Sequence, residues 1–358
     1  MKDIAGLLLD WYALHARKLP WRQKNGSEER PDPYHVWISE IMLQQTRVEA
    51  VKGYYQRFLE YLPEVADLAQ IPEDELMKLW QGLGYYNRAR NLQKAAAVIM
   101  EEYHGVFPDE YDQLLKLPGI GEYTAGAIAS IAFGKRVPAV DGNVYRIYTR
   151  LMGDDSDITK TGVKRRIRED VMEIMPEKET GSFNQAWMDL GATVCLPNGE
   201  PLCDCCPLSG ICLAKEQGNM KDYPVKPVKK PRKQQERTVL LLEYQGKYLI
   251  QKRPPKGLLA GLWEFPAQEG KLSLEQLKVL LEQWSVKGDQ IELLGKGEHI
   301  FSHVEWHMLG YLVHLDQLPE LEMSEEAVWA DAAEIEKNYS IPSAYQCYYQ
   351  KIIDLKRV

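Results

Sequence analysis

Five of the six cysteines fall within one short stretch, and no other feature constrains the fold as sharply. Cys195 is followed after seven residues by Cys203, after two more by Cys206 and after five more by Cys212, with Cys205 set between the second and third. A disulfide framework spreads its cysteines to staple distant segments, whereas thiols crowded into one loop point to a metal site in a reducing compartment. Four thiolates so close together must wrap one compact object. An iron-sulfur cube and a four-cysteine zinc site both accept this spacing, and the spacing alone leaves the two nearly even.

A chain of 358 residues exceeds what one core usually accommodates, so two domains are expected, and 45% hydrophobic content gives each a core. The net charge of -8 argues against an overall basic nucleic-acid surface, so any such surface must be local. Met1-Lys2-Asp3 leads into an apolar stretch that Asp10 interrupts. That is not signal-peptide design, and no later run reaches membrane-spanning length. A cytoplasmic protein is expected.

Up to about residue 215 the apolar spacing is helical almost throughout. Pro72 opens a helix through Leu76, Leu79 and Trp80 that Gly82 and Gly84 break, and a helix from Asn91 to Tyr103 stops at His104-Gly105. Tyr111 to Lys116 runs into Leu117-Pro118-Gly119-Ile120-Gly121, after which helical spacing resumes from Tyr123 to Phe133: two helices joined by a glycine hairpin. From Met220 the chain turns polar, proline-broken and basic, as a linker does. Beyond it, Thr238–Tyr244 and Tyr248–Lys252 flank Gln245-Gly246 as a hairpin, and Leu272–Trp284 is helical, which predicts an α+β second domain. The expected division is 1–219, a linker at 220–236, and 237–358.

Three segments of the helical part carry chemistry. The Leu117–Gly121 hairpin offers backbone N–H groups, unobstructed by side chains, at a helix N-terminus; it suits a DNA phosphate about as well as it suits a plain helix connection. Asp141, in Val137-Pro138-Ala139-Val140-Asp141-Gly142-Asn143-Val144, stands where a helix N-cap is expected. Trp37 to Arg47 reads as a helix with Glu40 beside Gln44 at i, i+4. Bulky apolar neighbours bracket Glu40, and they would raise its pKa if that face lines a cleft.

Together with Gly82-Leu83-Gly84-Tyr85-Tyr86, the stretch Phe183-Asn184 through Leu190-Gly191 and the cysteine loop, these segments resemble the helix-hairpin-helix DNA glycosylases of the endonuclease III superfamily. Within it they are most similar to the MutY-type adenine glycosylases. The matching stretches span most of residues 20–215. The resemblance implies an all-α helix-hairpin-helix glycosylase domain with a [4Fe-4S] cluster on Cys195, Cys203, Cys206 and Cys212, and it shifts the metal reading away from zinc. It assigns Glu40 as the general acid and Asp141 as the carboxylate facing the developing sugar cation, with Asn143 and Tyr123 completing the catalytic group. Adenine leaves poorly, so an acid must protonate it while an ionised carboxylate stabilises the oxocarbenium ion. Gln45, Leu83 and Tyr85 are the implied wedge that fills the space of the flipped base, and Gly119, Gly121 and Arg22 the implied DNA contacts. Lyase members carry a lysine after the hairpin. Here Tyr123 takes that place and cannot form a Schiff base, which implies a monofunctional enzyme. The chain departs from the pattern in a Cys195–Cys203 gap one residue longer than the commonest, in the extra Cys205, in a longer polar stretch from Gln23 to Pro31, and in Gln185, where some relatives carry an acid.

The C-terminal part, with Gly261-Leu262-Trp263-Glu264-Phe265-Pro266, resembles the Nudix fold but lacks its metal-binding Arg-Glu and Glu-Glu pairs between Ala267 and Val286, which disfavours a Nudix hydrolase. His299-Ile300-Phe301-Ser302-His303 resembles the loop with which adenine glycosylases recognise 8-oxoguanine, so Phe301, Ser302 and His303 are the implied readers. Oxidation turns guanine N7 from acceptor to N–H donor, and a serine hydroxyl can accept that bond. The implied partner is double-stranded DNA with A:8-oxoguanine or A:G mismatches, met in the nucleoid by a monomer. A thymine or oxidised-pyrimidine glycosylase, and a non-catalytic iron-sulfur DNA sensor, are the competing readings; Glu40 and Asp141 argue against the second.

Overall fold

The computed structural model describes residues 3–23, 30–228, 231–288, 290–319 and 326–355. Most of the Gln23–Pro31 stretch, and Lys229-Lys230 of the basic segment, lie outside the described residues. Contacts divide the chain into two compact units: Met1–Gln70 with Arg90–Val228, and Ile71–Ala89 with Lys229–Val358.

The first unit is helical. Asp3 caps α1 (Ile4–His15), accepting from the Gly6 N–H at 2.8 Å. Asp32 caps α2 (Pro33–Leu43) in the same way, with Pro33 in its first turn. Then follow α3 (Val48–Tyr61), α4 (Val65–Gln70), α5 (Glu73–Leu79), α6 (Asn87–Glu102), α7 (Tyr111–Leu114), α8 (Glu122–Ile131), α9 (Gly142–Met152), α10 (Thr161–Ile174), α11 (Thr180–Thr193) and the short α12 (Leu213–Gln217); of these α5 and the start of α6 fall in the second unit. Leu8 and Trp11 of α1, Val144, Ile147 and Leu151 of α9, Ile167 and Val171 of α10, and Phe183, Trp187 and Leu190 of α11 form one buried cluster. Each such side chain contributes roughly 1.5–3 kcal/mol by leaving water. This cluster backs both Asp141, at the start of α9, and the cysteine loop after α11.

The helix expected from Trp37 to Arg47 is shorter than its spacing suggested. It ends at Leu43; Gln44 caps it, and Gln45 turns left-handed at φ 59° so that the chain can restart as α3. Local periodicity does not register such a reversal, because the residues on both sides are helical.

In the second unit β1 (Lys233–Tyr244), β2 (Lys247–Lys252), β3 (Trp263–Glu264), β4 (Ala267–Glu269), β5 (Gln290–Ile300), β6 (Val304–His314) and β7 (Ala327–Ala330) make one mixed sheet. Its central order is β3-β2-β1-β6-β5, with β4 paired to β1 and β7 to β2, and β1–β6 is the parallel pair. Gln245 and Gly246 form the expected two-residue turn, both left-handed. Lys233–Glu236, within the stretch read as linker, already pair with Val304–His307. β1 alternates by face: Val239 and Leu241 pack with Ile335 of α14 (Ala332–Asn338) and Tyr348 of α15 (Gln346–Leu355), while Leu240 and Leu242 pack with Leu277 and Leu281 of α13 (Leu274–Gln283). Among the described residues no helix is long and apolar enough to cross a membrane.

Candidate active site

In the first unit a cavity of about 650 Å³ is lined by Arg22, Glu40, Gln45, Gly119, Gly121, Tyr123, Asp141 and Asn143, eight of the residues singled out from sequence. They arrive on four separate elements. Glu40 comes from α2 and is 6% exposed. Burial pushes its carboxyl above the ordinary range, reinforced by the negative Asp141; the Tyr123 hydrogen bond and the Arg22 charge pull the other way without cancelling it. Tyr123, in the first turn of α8, donates its hydroxyl to Glu40 Oε2 at 2.7 Å. Burial and the two carboxylates hold that phenol well above its usual pKa, so it keeps its proton.

Asp141 is the N-cap of α9, and the capping expectation and the catalytic one fall on the same carboxylate. Oδ1 accepts from the Asn143 and Val144 N–H groups at 2.8 and 2.9 Å, and Oδ2 from Asn143 Nδ2 at 2.8 Å. Burial raises its pKa, opposed by those three bonds and by the charge of Arg146. A helix N-terminus and an amide thus give this carboxyl three hydrogen bonds that favour its ionised form, against the burial that disfavours it.

The glycine hairpin forms the cavity's rim. Gly119 is left-handed at φ +77°, and a Cβ there would meet the Asn91 Cβ at 2.6 Å; a Cβ on Gly121, the N-cap of α8, would meet nothing within 4 Å. The Gly121 backbone therefore faces open space at a helix N-terminus. Arg22 lines the cavity with its guanidinium paired two-pronged to Asp189 at 2.7 and 2.8 Å. Asp189 is fully buried, and although burial alone would raise its pKa, Arg22 and Arg17 outweigh that and lower it. Sequence reasoning missed Asp189 and Arg17. The signal was there, since a carboxylate between Trp187-Met188 and Leu190 on an apolar helix requires a buried cation.

The four expected cysteine ligands line a second, small cavity together with Ile147, Leu151, Val194 and Leu208, and Cys205 is exposed and outside it. Burial, with crowding by the neighbouring thiols, pushes Cys206 up to about 12 and raises Cys203 and Cys212. Arg150 donates to Cys195 Sγ at 3.2 Å, a cation ready for a thiolate. Among the described residues no three His, Cys, Asp or Glu side chains surround the position of a single ion. The donor set of four half-buried sulfurs, an apolar wall and an arginine fits a cluster larger than one ion. Arg146, also missed from sequence, joins the two regions: it donates to Asn143 Oδ1 at 2.9 Å, to the Gly191 carbonyl at 2.7 Å and to the Cys195 carbonyl at 2.9 Å.

The remaining candidates lie in the second unit. Leu83 is buried and Tyr85 is 48% exposed. Phe301, Ser302 and His303 form the β5–β6 turn; Phe301 packs on Trp306 at 4.9 Å, Ser302 and His303 are exposed, and the Ser302 and Tyr85 hydroxyls are 3.0 Å apart.

Residues 38–173 match the HhH-GPD superfamily of base excision DNA repair proteins, and residues 237–351 match the NUDIX domain. The chain is 36% identical to the adenine DNA glycosylase of Mus musculus over 90% of its own length and 72% of the mouse protein's. It is likewise 36% identical to that of Buchnera aphidicola subsp. Schizaphis graminum, over 91% of itself and 92% of that protein. The chain belongs to the adenine DNA glycosylase family. Members hydrolyse N-glycosyl bonds in DNA during base excision repair, and this glycosylase is such a hydrolase. Its helical part is similar to a thermostable thymine-DNA glycosylase, with a TM-score of 0.54 and 30% identity over 60% of this chain and 96% of that one. It is also similar to endonuclease III in a non-covalent DNA complex, with a TM-score of 0.50 and 27% identity over 61% and 97%. The glycosylase thus joins an endonuclease III-like helical fold to a Nudix-like α+β fold.

Proposed function

We propose that this glycosylase excises adenine paired with 8-oxoguanine, or with guanine, by hydrolysis without a lyase step. The observation that carries the reading is the one cavity that Glu40, Asp141 and Tyr123 line together, with Tyr123 donating to Glu40; no lysine is among its lining residues. The flipped adenosine enters this cavity, whose volume is in the ordinary range for a ligand. Glu40 transfers its proton to adenine N7 as the glycosidic bond breaks, and the bonding electrons leave with the base. Asp141 stabilises the sugar cation until water adds at C1′, giving free adenine and an abasic site. Tyr123 holds Glu40 in place and cannot supply the amine that a lyase needs.

Cys195, Cys203, Cys206 and Cys212 are the residues that would hold a [4Fe-4S] cluster, which would supply rigidity to the loop. Residues 1–219 form the catalytic domain in this assignment, 220–236 the linker and 237–358 the reader, with Phe301, Ser302 and His303 facing 8-oxoguanine. Gln45, Leu83 and Tyr85 wedge the duplex, and Gly119 and Gly121 hold a phosphate.

Single-turnover excision on A:8-oxoguanine, A:G and G:T duplexes, with borohydride added to trap any imine, tests the proposal. Adenine release fastest opposite 8-oxoguanine, with no trapped adduct, is expected. Faster thymine release from G:T, or an efficiently trapped imine, would overturn it.

A further inference from the structure

The segment Ile71–Ala89 is fastened to the C-terminal sheet unit by named polar contacts. Lys78 Nζ donates to the Tyr339 carbonyl at 3.1 Å and Gln81 Nε2 to the Ile341 carbonyl at 2.9 Å. Asp74 pairs with Lys252 at 3.2 Å, and Lys252 lies over the Trp263 ring, which meets Tyr339 edge-on at 4.7 Å. Burial lowers the pKa of Lys78, so its ammonium is held against that carbonyl with part of its hydration removed.

Four residues past Gln81 stands Tyr85, and the turn between them is stiff. Gly82, Gly84 and Tyr85 are all left-handed. Trp80 Nε1 donates to the Gly84 carbonyl at 3.1 Å, and Arg88 donates to the Leu83 and Gly84 carbonyls at 3.0 Å. The turn presents the Tyr85 ring outward with its hydroxyl 3.0 Å from Ser302 Oγ.

A hydroxyl has one proton and two lone pairs. If Ser302 gives its proton to Tyr85, it can only accept from a base. An accepting Ser302 bonds the N7–H of 8-oxoguanine and opposes the bare lone pair of guanine N7. We propose that Lys78 and Gln81 hold the Tyr85 hydroxyl where it accepts the Ser302 proton, so that Ser302 offers a base only lone pairs and distinguishes 8-oxoguanine from guanine. Lys78 and Gln81 are positioning residues in this scheme, and the scheme rests on Ser302 being the reader.

The test measures, on the full-length protein, affinity for duplexes carrying a non-cleavable adenosine analogue opposite 8-oxoguanine or guanine, together with single-turnover excision from A:8-oxoguanine and A:G. The Lys78→Met, Gln81→Ala double variant should lower the 8-oxoguanine preference by about two- to tenfold, the range that one hydrogen bond spans, with A:G excision within about twofold. Lys78→Arg, which keeps a donor, should hold the preference. Tyr85→Phe, which keeps the ring, should lower it equally, and adding Ser302→Ala to either background should cost nothing more. An unchanged preference in Tyr85→Phe overturns the proposal if Ser302→Ala alone lowers it. Equal losses on both duplexes in the double variant also overturn it, because the contact would then be structural only; should that variant misfold by melting temperature, Tyr85→Phe decides alone. If Ser302→Ala itself leaves the preference intact, the reader assignment fails first and the proposal falls with it.

Discussion

At the residue scale, the proposed hydrolysis calls for one protonated and one ionised carboxyl, and Glu40 and Asp141 have unlike surroundings. Glu40 sits among apolar side chains with one phenol, and Asp141 in the N–H groups of a helix start. Glu40→Gln preserves shape and cannot donate, so it should bind the mismatch yet lose adenine release by at least about a hundredfold, as measured in single turnover. Asp141→Asn should be severely impaired as well. In the proposed mechanism excision needs protonated Glu40, so activity should be present below its folded pKa and lost as pH rises through it. Since the Tyr123 hydrogen bond favours the ionised form, Tyr123→Phe should move that alkaline limb to higher pH even as the rate falls. A limb that stays put, or moves down, would break the link between Tyr123 and the acid.

The hairpin proposed to hold a phosphate is also an element whose backbone bears on stability. Gly119→Ala places a Cβ at a left-handed φ and against Asn91, so it should destabilise the protein by about 1–3 kcal/mol in denaturant titration. Displacing the turn should also weaken binding to matched and mismatched duplexes alike and reduce the salt dependence of affinity, as loss of a phosphate contact does. Weakening confined to mismatches would remove the hairpin from phosphate binding. The cysteine loop is the other such element. The purified protein should carry about four irons per chain; Cys205→Ser should keep them, because Cys205 is exposed outside the sulfur-lined cavity, and Cys206→Ser should lose them. Stoichiometric zinc without iron would refute the cluster.

On the scale of the whole molecule, the proposed function gives bond breaking and reading of the opposite base to different units. The cavity with both carboxyls lies wholly in one unit, and the exposed Ser302 turn with the Tyr85 hydroxyl lies in the other. Ser302→Ala removes one neutral hydrogen bond, so it should weaken the preference for A:8-oxoguanine over A:G by about two- to tenfold. A parallel fall on both duplexes would make the second unit a general clamp.

Residue types and spacings were enough to read the helical half, the sheet after the basic stretch, the four cavity cysteines and the Glu40, Asp141 and Tyr123 trio, because capping, periodicity and the family's motifs are all local in the chain. Three things needed the fold. The reversal at Gln45 ends a helix whose periodicity continues on both sides. The buried Asp189 with Arg17 and Arg22, and Arg146 between Asn143 and the cysteine loop, join segments distant in sequence, and a lone charge on an apolar helix does not name its partner. The packing of Ile71–Ala89 with the C-terminal sheet was the least legible, since Lys78 and Gln81 bond to backbone carbonyls. A carbonyl is present at every residue, so no side-chain pattern marks the ones that will be used.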